Sequence, residues 1–360
     1  MAAPFDLRDL EVLTFGRSSV DLYPEQHEVP LADVETFRKS IGGSPTNVAV
    51  AAARLGRRAA VISRVGDDAF GAFVRQGLRE FGVHDAFITT DPALLTPVVF
   101  CELLPVEEPS IWFYREPRGP DMAIAADDLP MDAIREAPLF WLTGSRFAEE
   151  PSRSAAMAAL AARARRAHTV IDLDYRPMFW ESPEQASEHI APAIDLCTVA
   201  VGNRDECEIA VGTRVPDEAA DRMLERGVEI AIVKQGGDGV LVATADVRTI
   251  VAPIPVPVVC GLGAGDAFGG SLAHGLLAGW DPAEIVHRAN AAGAIVAGRL
   301  MCSDEMPTPS EIDHLLSTGD VPPRPENVRG RSFAVLDSST AAENGATPTP
   351  NVPGNEGMDA

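Results

Sequence analysis

Lysine is almost missing from this chain. Lys39 and Lys234 are the only two among 360 residues, and arginine supplies the rest of the 30 positive charges. Neither lysine follows a glycine, so a Walker-type phosphate loop is excluded. Against 53 acidic residues the formal net charge is −23, which excludes a general binder of nucleic acid or membrane surfaces. An anion can still be held in a local, built pocket. The five cysteines (Cys101, Cys197, Cys207, Cys260 and Cys302) are odd in number and form no Cys-x-x-Cys pair. That speaks against structural zinc and a disulfide framework, and for a reducing compartment. No apolar run is long enough to span a bilayer, and the opening "MAAPFDLRDLEV" has no apolar core of signal-peptide length. The expectation is a soluble, cytoplasmic protein.

What is present is a regular alternation. Strand-like runs such as "LEVLTFG", "AAVISRVG", "LFWLTG", "HTVIDLD", "CTVAVGN" and "EIAIVKQG" are separated by helical runs such as "TNVAVAAARLG", "AFGAFVRQGLREFGV", "SAAMAALAARARRA" and "EAADRMLERG". This pattern predicts an α/β fold with a mainly parallel sheet covered by helices on both faces. Two segments break the pattern, about residues 16–45 and 96–120, and are expected to form a small separate sheet. From Gly319 to Ala360 the composition turns to Pro, Gly, Ser, Thr and Asn without periodicity, which predicts a disordered tail outside a unit spanning residues 9–318.

The chemistry concentrates in "VVCGLGAGDAFGGSL". A dinucleotide fingerprint would need a glycine where Asp266 or Phe268 stands, so that reading fails. Gly263, Ala264 and Gly265 are small residues before an apolar helical run, and their backbone N–H groups could form an anion pocket at a helix N-terminus. Asp266 beside them suits proton removal from an attacking hydroxyl during phosphoryl transfer; a helix-capping aspartate is the plainer alternative. "VKQGGDG" sets Lys234 at a strand end before a turn with Gly236 and Gly239, which suits a loop over nucleotide phosphates or an ordinary surface hairpin. In "GNRDE", Asn203 and Glu206 share one side of a helix start, where they could support hydrated Mg²⁺ or simply cap the helix.

Taken together, Asp21, the Gly42-Gly43 pair with Asn47, Asn203-x-x-Glu206, Lys234-x-Gly and Gly-Ala-Gly-Asp266 resemble the ribokinase-like carbohydrate kinases, the PfkB family, over about Glu11 to Leu316. The resemblance implies a three-layer α/β/α sandwich with a small β-sheet lid, ATP and Mg²⁺ as cofactors, and a small sugar substrate. Asp266 then matches the family's base, with the amides of Gly263, Ala264 and Gly265 as its anion hole. Asp21, Gly42, Gly43 and Asn47 match its sugar contacts. Asn203 and Glu206 match the motif supporting Mg²⁺, with Glu206 acting through water. Lys234, Gly236, Gly239 and Asn290 fall in its nucleotide-binding stretches. A lid of this kind allows two copies to pair through it.

Arg115, ending "FYR", and Arg176, in "DLDYRPMFW", add two guanidinium groups that suit a carboxylate and so a sugar acid, although Arg176 could instead brace the Asp172/Asp174 loop. Longer stretches, "VDLYPEQ" and "ANAAGAIVAGRLMCSDEMP" among them, resemble the branch of the family that phosphorylates the 6-hydroxyl of 5-dehydro-2-deoxygluconate in myo-inositol breakdown. A kinase for 2-dehydro-3-deoxygluconate is the alternative within the family. A non-catalytic sugar-binding protein would be expected to have lost the base or the anion hole, and both are intact. Cys260, Gly261 and Leu262 stand where many members carry Asp-Thr-Thr, so monovalent-cation activation does not carry over with the resemblance.

Overall fold

The computed structural model describes residues 7–26, 29–107 and 109–324. Nine strands form the main sheet: β1 (Val12–Phe15), β4 (Ala59–Gly66), β5 (Ile88–Asp91), β8 (Leu139–Thr143), β9 (Thr169–Asp172), β10 (Val199–Asn203), β11 (Ile230–Lys234), β12 (Val240–Ala243) and β13 (Arg248–Val251). Their order is β13-β12-β11-β10-β9-β8-β1-β4-β5. All neighbours run parallel except β11–β12 and β12–β13, which are antiparallel. The second sheet holds β2 (Ser19–Pro24), β3 (Phe37–Gly42), β6 (Val98–Glu102) and β7 (Ser110–Tyr114), ordered β3-β2-β6-β7. These four strands come from the two segments that interrupt the alternation, and they form the small lid.

Ten helices flank the main sheet among the described residues. They are α1 (Ser44–Arg54), α2 (Ala69–Glu80), α3 (Met131–Glu136), α4 (Ser152–Arg163), α5 (Pro183–Ile194), α6 (Arg204–Val211), α7 (Pro216–Glu225), α8 (Ala264–Ala278), α9 (Pro282–Ala297) and α10 (Pro309–Thr318). Helices α3 to α7 pack in succession, while α8 packs on α1 and α9, and α10 on α9. The two-residue period of the strands serves both groups. Phe140 and Leu142 of β8 join the core that includes α4 to α7, whereas Trp141 between them meets α8 at Gly269. None of these helices is long and apolar enough to cross a membrane.

The stretch expected to be a disordered tail lies outside the described residues from residue 325 onward. Between Gly319 and Arg324 the chain stays on the body. The Pro322 carbonyl accepts from Arg299 at 3.1 Å, and Arg324 pairs with Glu305 at 3.1 Å.

Parallel strands deliver their C-terminal ends to one edge of the sheet, where ligands bind in open α/β folds. Here that edge presents Arg17 after β1, Asp172 and Asp174 at β9, Asn203 at β10 and Lys234 at β11. Helices α1 and α8 are set close beside that edge because Gly270 lacks a side chain. A Cβ at Gly270 would lie 2.2 Å from the Ala51 Cβ. Gly270→Ala is therefore expected to overpack this crossing and destabilise the protein by about 1–3 kcal/mol, measured by urea unfolding. An unchanged midpoint would show that the helices have room to spare.

Candidate active site

The first turn of α8 stands between two cavities. Gly263 precedes it with φ 83°, and a Cβ there would sit 2.5 Å from the Cys302 Sγ, so both the backbone conformation and the space require glycine. Among the described residues no side chain caps this helix, which leaves its first N–H groups available to an anion. Asp266 is in that turn rather than at the cap, which removes the capping alternative. Its Oδ2 accepts from Asn47 Nδ2 at 2.8 Å, and Ser44 also donates to the carboxylate. Burial raises the Asp266 pKa, and the bonds from Ser44 and Asn47 oppose the rise. Gly263 and Asp266 line the cavity under the lid, whereas Ala264 and Gly265 line a cleft on the other side.

Three consecutive residues tie this turn to its surroundings. The Tyr23 hydroxyl of β2 donates to Cys302 Sγ at 2.8 Å. Ser303 Oγ donates to Asn47 Oδ1 at 2.6 Å, fixing the amide so that its NH₂ faces Asp266. Ser40 Oγ of β3 donates to Asp304 Oδ2 at 2.5 Å.

The lid strands face the cavity with alternate residues: Asp21 and Tyr23 from β2, Val99 and Cys101 from β6, Ile111 and Phe113 from β7. Gly42 makes room for the first of these, since a Cβ there would lie 2.0 Å from the Asp21 carboxylate. Asp21 accepts from Ser19 at 2.9 Å, and burial pushes its pKa up to about 6. Gly43 and Asn47 line the same cavity, which measures 60 Å³ and adjoins an outer cleft of 740 Å³ through residues common to both, Arg176 among them.

Three guanidinium groups border the lid-covered cavity and the outer cleft. Arg115 pairs with Glu149 at 3.1 Å and lies over the Phe179 ring at 4.5 Å. Arg176 pairs through Nε with Asp174 at 2.9 Å, so it does brace that loop, while still lining both spaces. Arg17 lies 4.8 Å from the Phe113 ring centroid, and its buried Nε has no hydrogen-bond partner.

The cleft on the other side of the turn measures 540 Å³. Lys234, Gly236, Asn290, Ala264 and Gly265 line it, with an apolar wall from Pro253 to Val258. Asn290 donates to the Ala252 carbonyl at 3.0 Å. The Lys234–Gly239 turn is a hairpin between β11 and β12, so the plainer alternative and the cleft-lining role coexist there. Gly239 packs its Cα against Val251 and does not line the cleft. Asn203 and Glu206 form a reciprocal capping box, with bonds of 2.9 Å and 2.6 Å. Among the described residues no group of three or more His, Cys, Asp or Glu side chains could hold a metal ion by itself.

Charge is concentrated behind Lys234. Burial alone would lower its pKa, but Asp172, Glu206 and Asp266 outweigh it and the net shift is upward. Asp172 is pushed up to about 7 by burial, with Glu206, Asp174 and Asp266 adding to the rise and Lys234 opposing it. Asp172 and Arg17 were not singled out from the sequence. The signals available were the strand-final position of Asp172 in "TVID" and the place of Arg17 directly after the first strand, four residues before Asp21.

A carboxyl whose pKa rises on folding stabilises the fold below its unfolded pKa, and that contribution is lost as pH rises through the folded value. For Asp172 the window runs from the ordinary 3.8 to about 7. Asp172→Asn is therefore expected to raise the melting temperature relative to the parent protein, and the gap should widen between about pH 5 and about pH 8. A gap that stays constant or narrows would refute the burial of this charge.

Residues 9–309 match the model of the pfkB family carbohydrate kinases. The chain is 33% identical over 322 residues to a 5-dehydro-2-deoxygluconokinase of Geobacillus thermodenitrificans, covering 87% of this chain and 95% of that one. A Vibrio cholerae fructokinase double mutant, solved with fructose, ADP and a potassium ion, is 28% identical with TM-score 0.76, covering 86% of this chain and 98% of that one. A putative ribokinase II from E. coli, solved with ATP and Mg²⁺, has TM-score 0.78 at 22% identity, covering 86% of this chain and 99% of that one, a likeness of fold alone. With nearly the whole described unit matched, the ribokinase-like fold in place and Gly-Ala-Gly-Asp266 opening α8, this chain belongs to the PfkB family and is an ATP-dependent carbohydrate kinase.

Proposed function

We propose that this kinase transfers the γ-phosphoryl group of ATP to the terminal 6-hydroxyl of 5-dehydro-2-deoxy-D-gluconate. The observation that carries this reading is the meeting, at one helix turn, of an acceptor cavity bordered by guanidinium groups and a separate cleft suited to a nucleotide. The similarity to the Geobacillus enzyme supports the choice of acid. The same arginines suit 2-dehydro-3-deoxygluconate, whereas fructose, bound by the Vibrio relative, has no carboxylate for them to meet.

In this mechanism Asp266 accepts the proton of the 6-hydroxyl. The freed oxygen forms a bond to the γ-phosphorus as the bond to the β,γ-bridging oxygen breaks, and ADP leaves. A loose transition state calls for proton removal late, so a buried carboxylate with a raised pKa is an adequate base. The N–H groups of Gly263, Ala264 and Gly265 would meet the charge on the transferred group, and Lys234, beside Gly265, that on the donor phosphates. Asp21, Gly42, Gly43 and Asn47 would hold the acceptor's hydroxyls. Gly236 and Asn290 would border the nucleotide.

The residues near Lys234 fit a hydrated Mg²⁺. Burial, with Glu206, Asp174 and Asp266, raises the cost of ionising Asp172, and a divalent cation would relieve it. Asp172 and Glu206 would hold it through water, since Glu206 is already bonded to the Asn203 backbone. When bound, the ion neutralises phosphate charge. Cys260, Gly261 and Leu262 offer no side-chain oxygen, so we propose no potassium requirement. Pairing of two copies through the lid also remains a proposal, supported by the exposed Trp112 and Tyr114 of β7.

An ATP-consumption screen over the two keto acids and neutral sugars tests the substrate assignment. Turnover confined to neutral sugars would sink it. Asp266→Asn is expected to lower kcat by about 10²–10⁴-fold with ATP binding retained. Near-normal turnover would remove Asp266 as the base.

A further inference from the structure

Two of the three guanidinium groups on the acceptor side already hold carboxylates, Glu149 for Arg115 and Asp174 for Arg176. Arg17 holds none among the described residues, and its side chain makes no hydrogen bond there. Each acid that acts on it through space is bonded to another group, although the buried Asp121 Oδ1 has no partner. Asp174 accepts from Ser145 and pairs with Arg176, Asp121 is bonded to Arg146, and Asp21 accepts from Ser19. Arg146 shows the contrast: it too lies against an aromatic ring, Phe15, yet its charge meets Asp121 at 2.8 Å.

The position of Arg17 is equally distinctive. It lines the inner cavity together with Asp21, Asn47 and Asp266, whereas Arg115 lines only the outer cleft. Its Cζ lies 4.8 Å from the Phe113 centroid and 5.8 Å from that of Phe179. Aromatic contact of this kind fixes the guanidinium and leaves its N–H edge unspent. A buried guanidinium with idle donors is costly unless a ligand completes it, and a carboxylate matches the fork with two parallel hydrogen bonds.

We propose that Arg17 is the specificity-determining receptor for the substrate carboxylate. It takes both carboxylate oxygens while the opposite end of the acid presents its hydroxyl to Asp266, and Asp21 accepts from a hydroxyl between them. Arg176 borders the passage between cavity and cleft, and Arg115 the cleft outside. This inference rests on the sugar-acid reading above and narrows it to one side chain.

The test compares kcat/KM for 5-dehydro-2-deoxygluconate with that for its neutral analogue reduced to an alcohol at C1. Both are measured on the same preparations of the parent enzyme, Arg17→Met and Arg17→Lys. Their ratio does not depend on the fraction of folded enzyme; where the analogue turns over too slowly, its inhibition constant, which does not depend on that fraction either, is compared between the variants and set beside the KM for the acid. Arg17→Met is expected to lose about 100-fold on the acid and less than about threefold on the analogue. Arg17→Lys, which keeps charge but loses the fork, should lose about tenfold on the acid alone. Equal losses on both substrates, or an acid kcat/KM retained by Arg17→Met, would overturn the assignment while leaving the sugar-acid reading standing. A parent enzyme that prefers the neutral analogue would overturn that reading itself, and this is visible before any variant is made.

Discussion

The hydrogen bond from Asn47 to Asp266 is the constraint on which the rest of the site depends. It joins the first turns of α1 and α8, helices brought together by the close crossing at Gly270, and it aims a buried carboxylate into the lid-covered cavity. Asn47 is itself held by Ser303, so the Asp266 carboxylate is oriented by a short chain of bonds rather than by one contact. A turn fixed in this way can offer backbone donors to a phosphoryl group on one side and a base to a hydroxyl on the other. Positioning of that kind is most of what phosphoryl transfer asks of a protein.

Charge follows the same division. Around Lys234 carboxylates outnumber cations, which suits the divalent ion proposed to accompany ATP there. Around the lid-covered cavity and the outer cleft stand three guanidinium groups, graded by how far each is already neutralised. For a chain of net charge −23, this gathering of guanidinium groups is a property of the site and not of the surface.

The sheet, its helices and the lid were legible because each depends on local patterning: alternation for strands, helical runs closed by glycine, and two segments that break the rhythm. The glycines around Asp266 were legible for the same reason, since spacing alone rejects a dinucleotide fingerprint. Asn203 and Glu206 were ambiguous because a capping box and a metal-supporting pair need the same three-residue spacing, and the bonds formed here are those of the box. Arg17 was not legible. What distinguishes it from the other described arginines is the lack of a partner, and partners can lie far off in the chain, 34 positions for Glu149 and Arg115 and 46 for Glu11 and Arg57. Asp172 was missed for a related reason, since its raised pKa reflects burial first and then Glu206 and Asp266, far off in the chain, as well as the nearby Asp174.

Cys302, Ser303 and Asp304 reach three different elements in three successive residues: β2 of the lid through Tyr23, α1 through Asn47, and β3 of the lid through Ser40. The lid and the base are thereby read out by one short stretch of backbone, and neither can shift without straining the bonds of the other. The place of the lid strands and the orientation of Asp266 are therefore coupled through a connection only three residues long.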